Sequence, residues 1–231
     1  MSAEEFHAAA RAGDISNTWA QLRRGCVVNE QLDMRQTALH LTCLNGHFSC
    51  TSLLLQHKAN TRNKTGSGES PLHLACRGGH TQICDALING PPGFVCADVH
   101  DKNDQGQTPL MIASAQGYTD TCHLLIDEGS CVHEKDRQGR TCLHLACEMN
   151  CRDAAVALVI RGASLHETNW KGETPLFVAC INLNTETAVA LIECGASMHE
   201  KLEGGVTAIN WVCKNGYLKL AGAMMKAKIK H

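Results

Sequence analysis

Ser70-Pro71-Leu72-His73-Leu74-Ala75 and Thr141-Cys142-Leu143-His144-Leu145-Ala146 are two copies of one six-residue pattern. Four more complete the series: Thr37-Ala38-Leu39-His40-Leu41-Thr42, Thr108-Pro109-Leu110-Met111-Ile112-Ala113, Thr174-Pro175-Leu176-Phe177-Val178-Ala179 and Thr207-Ala208-Ile209-Asn210-Trp211-Val212. The copies start at 37, 70, 108, 141, 174 and 207, so the intervals are 33, 38, 33, 33 and 33 residues. Phe6-His7-Ala8-Ala9 falls in register one step earlier as a degenerate copy. Self-similarity at a fixed period of this length means stacked supersecondary units, each leaning on its neighbours for a core.

Local chemistry says what each unit is. A Thr or Ser hydroxyl accepts a bond from an otherwise orphaned helical N–H, and proline suits the next position because it has no N–H to lose. A helix therefore starts at each copy. Nine residues after each Thr or Ser stand Gly46, Gly79, Gly117, Asn150, Leu183 and Gly216, with Gly13 in the first unit. Glycine, and less often asparagine, ends a helix by turning left-handed, so the first helix is about two turns long. A second apolar-periodic run follows, such as 119–126 or 188–192, closed by Gly25, Gly90, Gly129, Gly162 or Gly195. A connection with glycine two places before the next copy (Gly68, Gly106, Gly139, Gly172, Gly205) completes the unit.

The motif and its spacing closely resemble the ankyrin repeat across essentially the whole chain. The resemblance implies an all-α repeat solenoid of αα-hairpins with β-hairpin finger loops, stacked into a right-curving, L-shaped array. It implies one domain, 1–231, of seven repeats: 1–33, 34–66, 67–104, 105–137, 138–170, 171–203 and 204–231. Two departures stand out. Leu183 replaces a glycine, so the sixth repeat is expected to turn differently. The third repeat carries five extra residues around Gly90-Pro91-Pro92-Gly93-Phe94, where a protruding loop is expected.

Composition narrows the function classes. With 21 basic and 23 acidic side chains the net charge is -2, and no basic stripe of the kind that backbone phosphates require is present. Nucleic acid is not an expected partner. Lys214, Lys219, Lys226, Lys228 and Lys230 make the last repeat locally basic, which reads as the solubilising face of a terminal cap. No stretch approaches eighteen apolar residues, and the start lacks a basic region followed by an apolar run. A soluble, monomeric chain in the cytoplasm, with the nucleus as a further location, is the expectation.

The fourteen cysteines and thirteen histidines follow the repeat rather than a site. Cys43, Cys76, Cys147, Cys180 and Cys213 sit six residues after each repeat's Thr or Ser, beside the small alanine, with Ser114 and Ala10 in the same column. Such thiols act as small buried apolar groups. Helices about 8–10 Å apart cannot bring column mates within disulfide reach. No Cys-x-x-Cys pair occurs, so neither a metal nor another cofactor is expected.

His7, His40, His73 and His144 belong to the motif, where the resemblance implies a structural hydrogen-bonding role at the first helical turn. A second column, eight residues before each copy, reads Asn29, Arg62, His100, His133, His166 and His199. Ankyrin repeats usually carry asparagine there, tying consecutive fingers, and a neutral imidazole has the donor and acceptor to do the same. The neighbouring column, Glu30, Asn63, Asp101, Glu134, Glu167 and Glu200, is nearly a continuous acidic row. Facing solvent, it is either a strip for a basic peptide or a solvated row with no partner.

A solenoid offers an extended surface rather than an enclosed pocket. No phosphate-cradling loop, no Gly-x-Ser-x-Gly elbow and no His-Glu-x-x-His pair occurs. The chain therefore reads as a non-enzymatic scaffold or adaptor that binds a protein or peptide, basic if the acidic row is its site, on its concave finger and inner-helix surface. The candidate contact residues are Met34, Arg35, Gln105, Arg137, Arg140, Trp170 and Lys171 at finger tips, and Arg77, Glu148, Met149 and Asn182 at the ends of first helices. Trp170 leads them, because tryptophan and arginine dominate interface energies; the alternative is that it folds back over a hairpin. Two further readings differ in class. One is the recognition part of a larger complex, such as a ubiquitin ligase adaptor. The other is a histidine-column sensor of pH or substrate of a hydroxylase.

Overall fold

A computed structural model describes residues 3–90, 95–202 and 204–229. The expected loop at 90–94 therefore lies almost wholly outside the described residues. Fourteen α-helices are present among those described, in consecutive pairs: α1 (Ala3–Ala12) with α2 (Ile15–Arg23), α3 (Ala38–Asn45) with α4 (Phe48–Gln56), α5 (Pro71–Gly78) with α6 (Thr81–Ile88), α7 (Pro109–Gln116) with α8 (Thr119–Asp127), α9 (Cys142–Glu148) with α10 (Arg152–Ile160), α11 (Pro175–Ile181) with α12 (Thr185–Glu193), and α13 (Ala208–Lys214) with α14 (Leu218–Ile229). Two compact units divide them, Met1–Pro109 with Asp127–Gly129 and Leu110–Ile126 with Ser130–His231.

Each unit is built the same way. First helices pack on first helices (α1 on α3, α3 on α5; α9 on α11, α11 on α13), and second helices on second helices (α2 on α4, α4 on α6; α10 on α12, α12 on α14). Each core is built of two sets of side chains at the repeat spacing, Leu39 and Leu72 from first helices with Leu54 and Leu87 from second helices in the first unit, and Leu110, Leu143 and Leu176 with Leu125, Leu158, Leu191 and Met224 in the second, all essentially without solvent contact. Each such side chain contributes about 1.5–3 kcal/mol relative to exposure.

The motif histidines are the stitches. His40 Nδ1 accepts from the Thr37 N–H (3.1 Å), while its Nε2–H donates to the Asn63 carbonyl of the next finger (3.0 Å). His73 bridges Ser70 and Gln107 in the same manner, and His144 bridges Thr141 and Glu173. The pattern defines the neutral Nε2–H tautomer, because Nδ1 faces a backbone donor. Burial drives the His40 pKa down to about 4 and lowers those of His73 and His144.

Left-handed turns close the first helices where the glycine column places them, with φ of 69° to 77° at Gly13, Gly46, Gly79, Gly117 and Gly216. Gly46 needs its bare Cα for a second reason: a Cβ there would lie 2.5 Å from the His80 ring, which donates to the Leu44 carbonyl (3.2 Å). Leu183 corrects one expectation. It takes the same turn as the glycines (φ 59°), with Asn184 N–H bonded to the Ala179 carbonyl (2.9 Å). Asn184 also donates its amide to the carbonyls of Cys147 and Glu148 in the preceding repeat (2.8 and 2.9 Å), and these bonds hold the turn against its left-handed cost.

The fingers also depart from expectation, since no residue described is in a β-strand. Each is a hairpin turn with one bond across its base, as from Asn103 N–H to Gln107, Asp136 N–H to Arg140 and Asn169 N–H to Glu173 (3.0–3.1 Å), and one back to the same Asn or Asp carbonyl from the glycine three residues on (2.9–3.0 Å), too short a ladder for a ribbon. Cys213 differs from its column as well: Cys43, Cys76, Cys147 and Cys180 are buried, but Cys213 is exposed because no described helix packs beyond α13.

Candidate functional site

Within the second unit, the fingers 136–140 and 169–173 and the helices α9 and α11 enclose a cleft of about 520 Å³. An Asx side chain shapes each finger. Asn169 Oδ1 accepts from the Lys171 and Glu173 N–H groups (2.9 and 3.0 Å), and Asp136 Oδ1 from those of Gln138 and Arg140 (both 2.9 Å). Asn103 does the same in the preceding finger, so the signal was a third column, Asn or Asp five residues before the copy.

Trp170 sits between the two fingers. Its backbone N–H donates to the Gln138 carbonyl (3.0 Å) and its indole N–H to the Arg137 carbonyl (3.2 Å). The ring lies on Gly139, where a Cβ would meet it at 2.5 Å, and the Lys135 ammonium stands 5.5 Å from its centroid. The tryptophan thus folds over the neighbouring hairpin, and 68% of it remains in contact with solvent. This is the arrangement of the alternative reading, in which the side chain folds back over a hairpin, and the ring stays exposed within it.

Arg140 is committed internally. It donates to Asp136 (2.8 and 2.9 Å) and to Glu148 (2.7 Å), joining the finger base to the end of α9, and its side chain is only 16% exposed. Arg77 makes the equivalent pair with Glu69 in the first unit, with the charges exchanged between the two positions. Arg137 and Lys171 have no counter-ion among the described residues. They flank Trp170 at the cleft's rim, and Val178 and Ile181 form an apolar part of its wall.

Of the candidate contact residues, the cleft brings together Arg137, Arg140, Glu148, Trp170, Lys171 and Asn182. Met149 is exposed beside it at the end of α9 but does not line it. Met34, Arg35, Arg77 and Gln105 belong to the first unit. Sequence reasoning missed Asn169, Glu173, Val178 and Ile181 as lining residues.

The histidine column does connect neighbouring repeats, and it does so through the acidic row. His133 Nδ1 lies 2.7 Å from Glu167, and His166 Nδ1 lies 2.9 Å from Glu200. Lys135 also approaches Glu167 (3.6 Å), and Lys64 pairs with Asp101 (3.1 Å). Asn29 holds the column's usual role, accepting from the Asn60 N–H (2.7 Å).

A family model described as ankyrin repeats (3 copies) matches residues 6–94 and 93–169. The chain belongs to the ankyrin repeat family. Among solved structures, the crystal structure of the human ASB11 ankyrin repeat domain is similar to it, with a TM-score of 0.82 at 25% identity over 96% of each chain. No curated protein matches in sequence. The ankyrin fold carries its function on surfaces, which makes the finger-and-helix cleft the site to interpret. No helix among the described residues is long and apolar enough to cross a membrane.

Proposed function

We propose that this ankyrin repeat chain is a non-enzymatic recognition module that holds an extended segment of a partner protein in the cleft beside Trp170. The observation that carries this is the combination at the rim: a tryptophan held through its indole N–H and its backbone N–H yet left in solvent, between two cations, Arg137 and Lys171, with no counter-ion among the described residues. A clasped tryptophan loses little side-chain freedom on binding, so its apolar area converts efficiently into affinity. Unpaired cations beside an apolar wall favour a segment with Asp or Glu flanking a large apolar side chain. The ionic groups deeper in the cleft, Arg140, Glu148 and Glu173, are bonded to one another or to Asn169, an arrangement that positions rather than reacts.

A basic peptide along the acidic row is less favoured, because Asp101, Glu167 and Glu200 already pair with Lys64, Lys135, His133 and His166. The test is selection of displayed peptides on the whole chain, followed by titration against variants. Selected peptides are expected to carry acidic residues beside a large apolar one. They should bind Trp170→Ala at least tenfold more weakly while that variant still melts cooperatively; unchanged affinity removes Trp170 from the site.

A further inference from the structure

The second helices of the first unit carry an apolar patch on their solvent side. Ile15, Trp19 and Arg23 follow one another at every fourth residue and form a ridge along α2, about 12 Å long. The equivalent ridge on α4 reads Phe48, Ser52 and Gln56. Because α2 packs on α4 as α4 packs on α6, the two ridges run side by side with a groove between them. Ile15, Trp19 and Phe48 are 45%, 46% and 44% exposed.

This exposure belongs to the position and not to a missing neighbour. Phe48 has second helices packed on both sides of its own, and no described residue in its column or in that of Trp19 is buried in any repeat. The next ridge along, Thr81, Asp85 and Asn89 on α6, is polar, so the patch is confined to α2 and α4. Single apolar side chains on a surface are ordinary, whereas several side by side mark a place of contact.

Arg23 is a second, independent sign. Its guanidinium lies over the Trp19 ring, 4.8 Å from the centroid, and neither it nor Arg24 has a counter-ion among the described residues. The stack holds the indole in one place, so little side-chain freedom is left to lose when a partner covers it. Tryptophan and arginine are also the residues in which interface energy concentrates. The groove is thus apolar at its Ile15 and Phe48 end and cationic at its Arg23 end.

We propose that the groove between α2 and α4 docks an amphipathic helix of a partner protein, with large apolar side chains on two successive turns and Asp or Glu on the third. Two parallel ridges suit a helix laid between them, and Arg23 and Arg24 favour the acidic turn. Asp14, exposed next to Ile15, argues against an anionic membrane surface in its place.

Two synthetic helical peptides test this on the whole chain, identical in their Leu row and differing only in Glu or Lys on the third turn. The Glu peptide is expected to bind, and the Lys peptide at least tenfold more weakly. Substitutions copied from equivalent positions of other repeats preserve the fold. Trp19→Ser and Phe48→Thr should each lower affinity for the Glu peptide at least tenfold with cooperative melting intact. Arg23→Gln should abolish the preference for Glu, and Trp170→Ala should leave binding unchanged. Equal binding of the two peptides, binding of neither, or affinity indifferent to Trp19→Ser and Phe48→Thr overturns the proposal. So does weakening by Trp170→Ala, self-association of the chain in competition with the peptide, or preference for vesicles of anionic phospholipid.

Discussion

Acidification tests the histidine stitches directly. His40 is fully buried, accepts at Nδ1 and donates at Nε2, and has its pKa lowered to about 4 by burial. In the unfolded chain it titrates near the ordinary value of about 6.5. The folded state thus resists a proton that the unfolded state takes, so stability is fully present above about pH 6.5 and is lost as pH falls from there toward 4. At pH 5 the two titrations differ by about 2 kcal/mol for His40 alone. For a domain of this size that is a fall of roughly 4–8 °C in melting temperature between pH 7.5 and 5. His73 and His144 act in the same direction. Thermal unfolding by circular dichroism across this range gives the slope, and His40→Gln, which cannot titrate, isolates one residue. The variant should melt lower at pH 7.5 yet lose less on acidification. A melting temperature that is flat or rises toward pH 5, or nitrogen shifts showing the Nδ1–H tautomer in native His40, would refute the reasoning.

Gly139→Ala places a methyl 2.5 Å from the Trp170 ring at a left-handed position (φ 75°), so it should cost about 1–3 kcal/mol and blue- or red-shift tryptophan emission as the ring is displaced. Leu183→Gly relieves a left-handed leucine that is already half exposed, and urea unfolding should show about 0.5–1 kcal/mol of added stability. Alkylation followed by mass spectrometry should label Cys96, Cys131 and Cys213 first, since they are exposed. Cys43, Cys142 and Cys147 should resist, because burial pushes their thiols well above the ordinary range.

The residues that were legible in the chain alone are those whose effect is local or periodic. Thr and Ser caps, the Pro that follows them, the glycine column and leucines 33 apart define where helices begin, end and bury a face, since each acts through its own backbone or an adjacent turn. The motif histidines were placed at the right turn for the same reason, although their carbonyl partners, 23 to 34 residues on, became visible only in three dimensions. Leu183 shows the limit: intrinsic preference argued against its turn, and bonds from Asn184 to the preceding repeat overrode it.

The candidate cleft divides along the same line. That fingers and first-helix ends would be available followed from the period, but which charges were available did not. Arg137 and Arg140 look alike in the sequence; a single turn of the finger sets one in solvent and the other between Asp136 and Glu148. The acidic row looked free until His133 and His166 reached across to it. Whether Trp170 lies on Gly139 depends on what the neighbouring repeat places opposite. Repetition in one dimension determines which side chains are equivalent, whereas pairing and exposure belong to the packed interface, because they are set by through-space contacts between repeats.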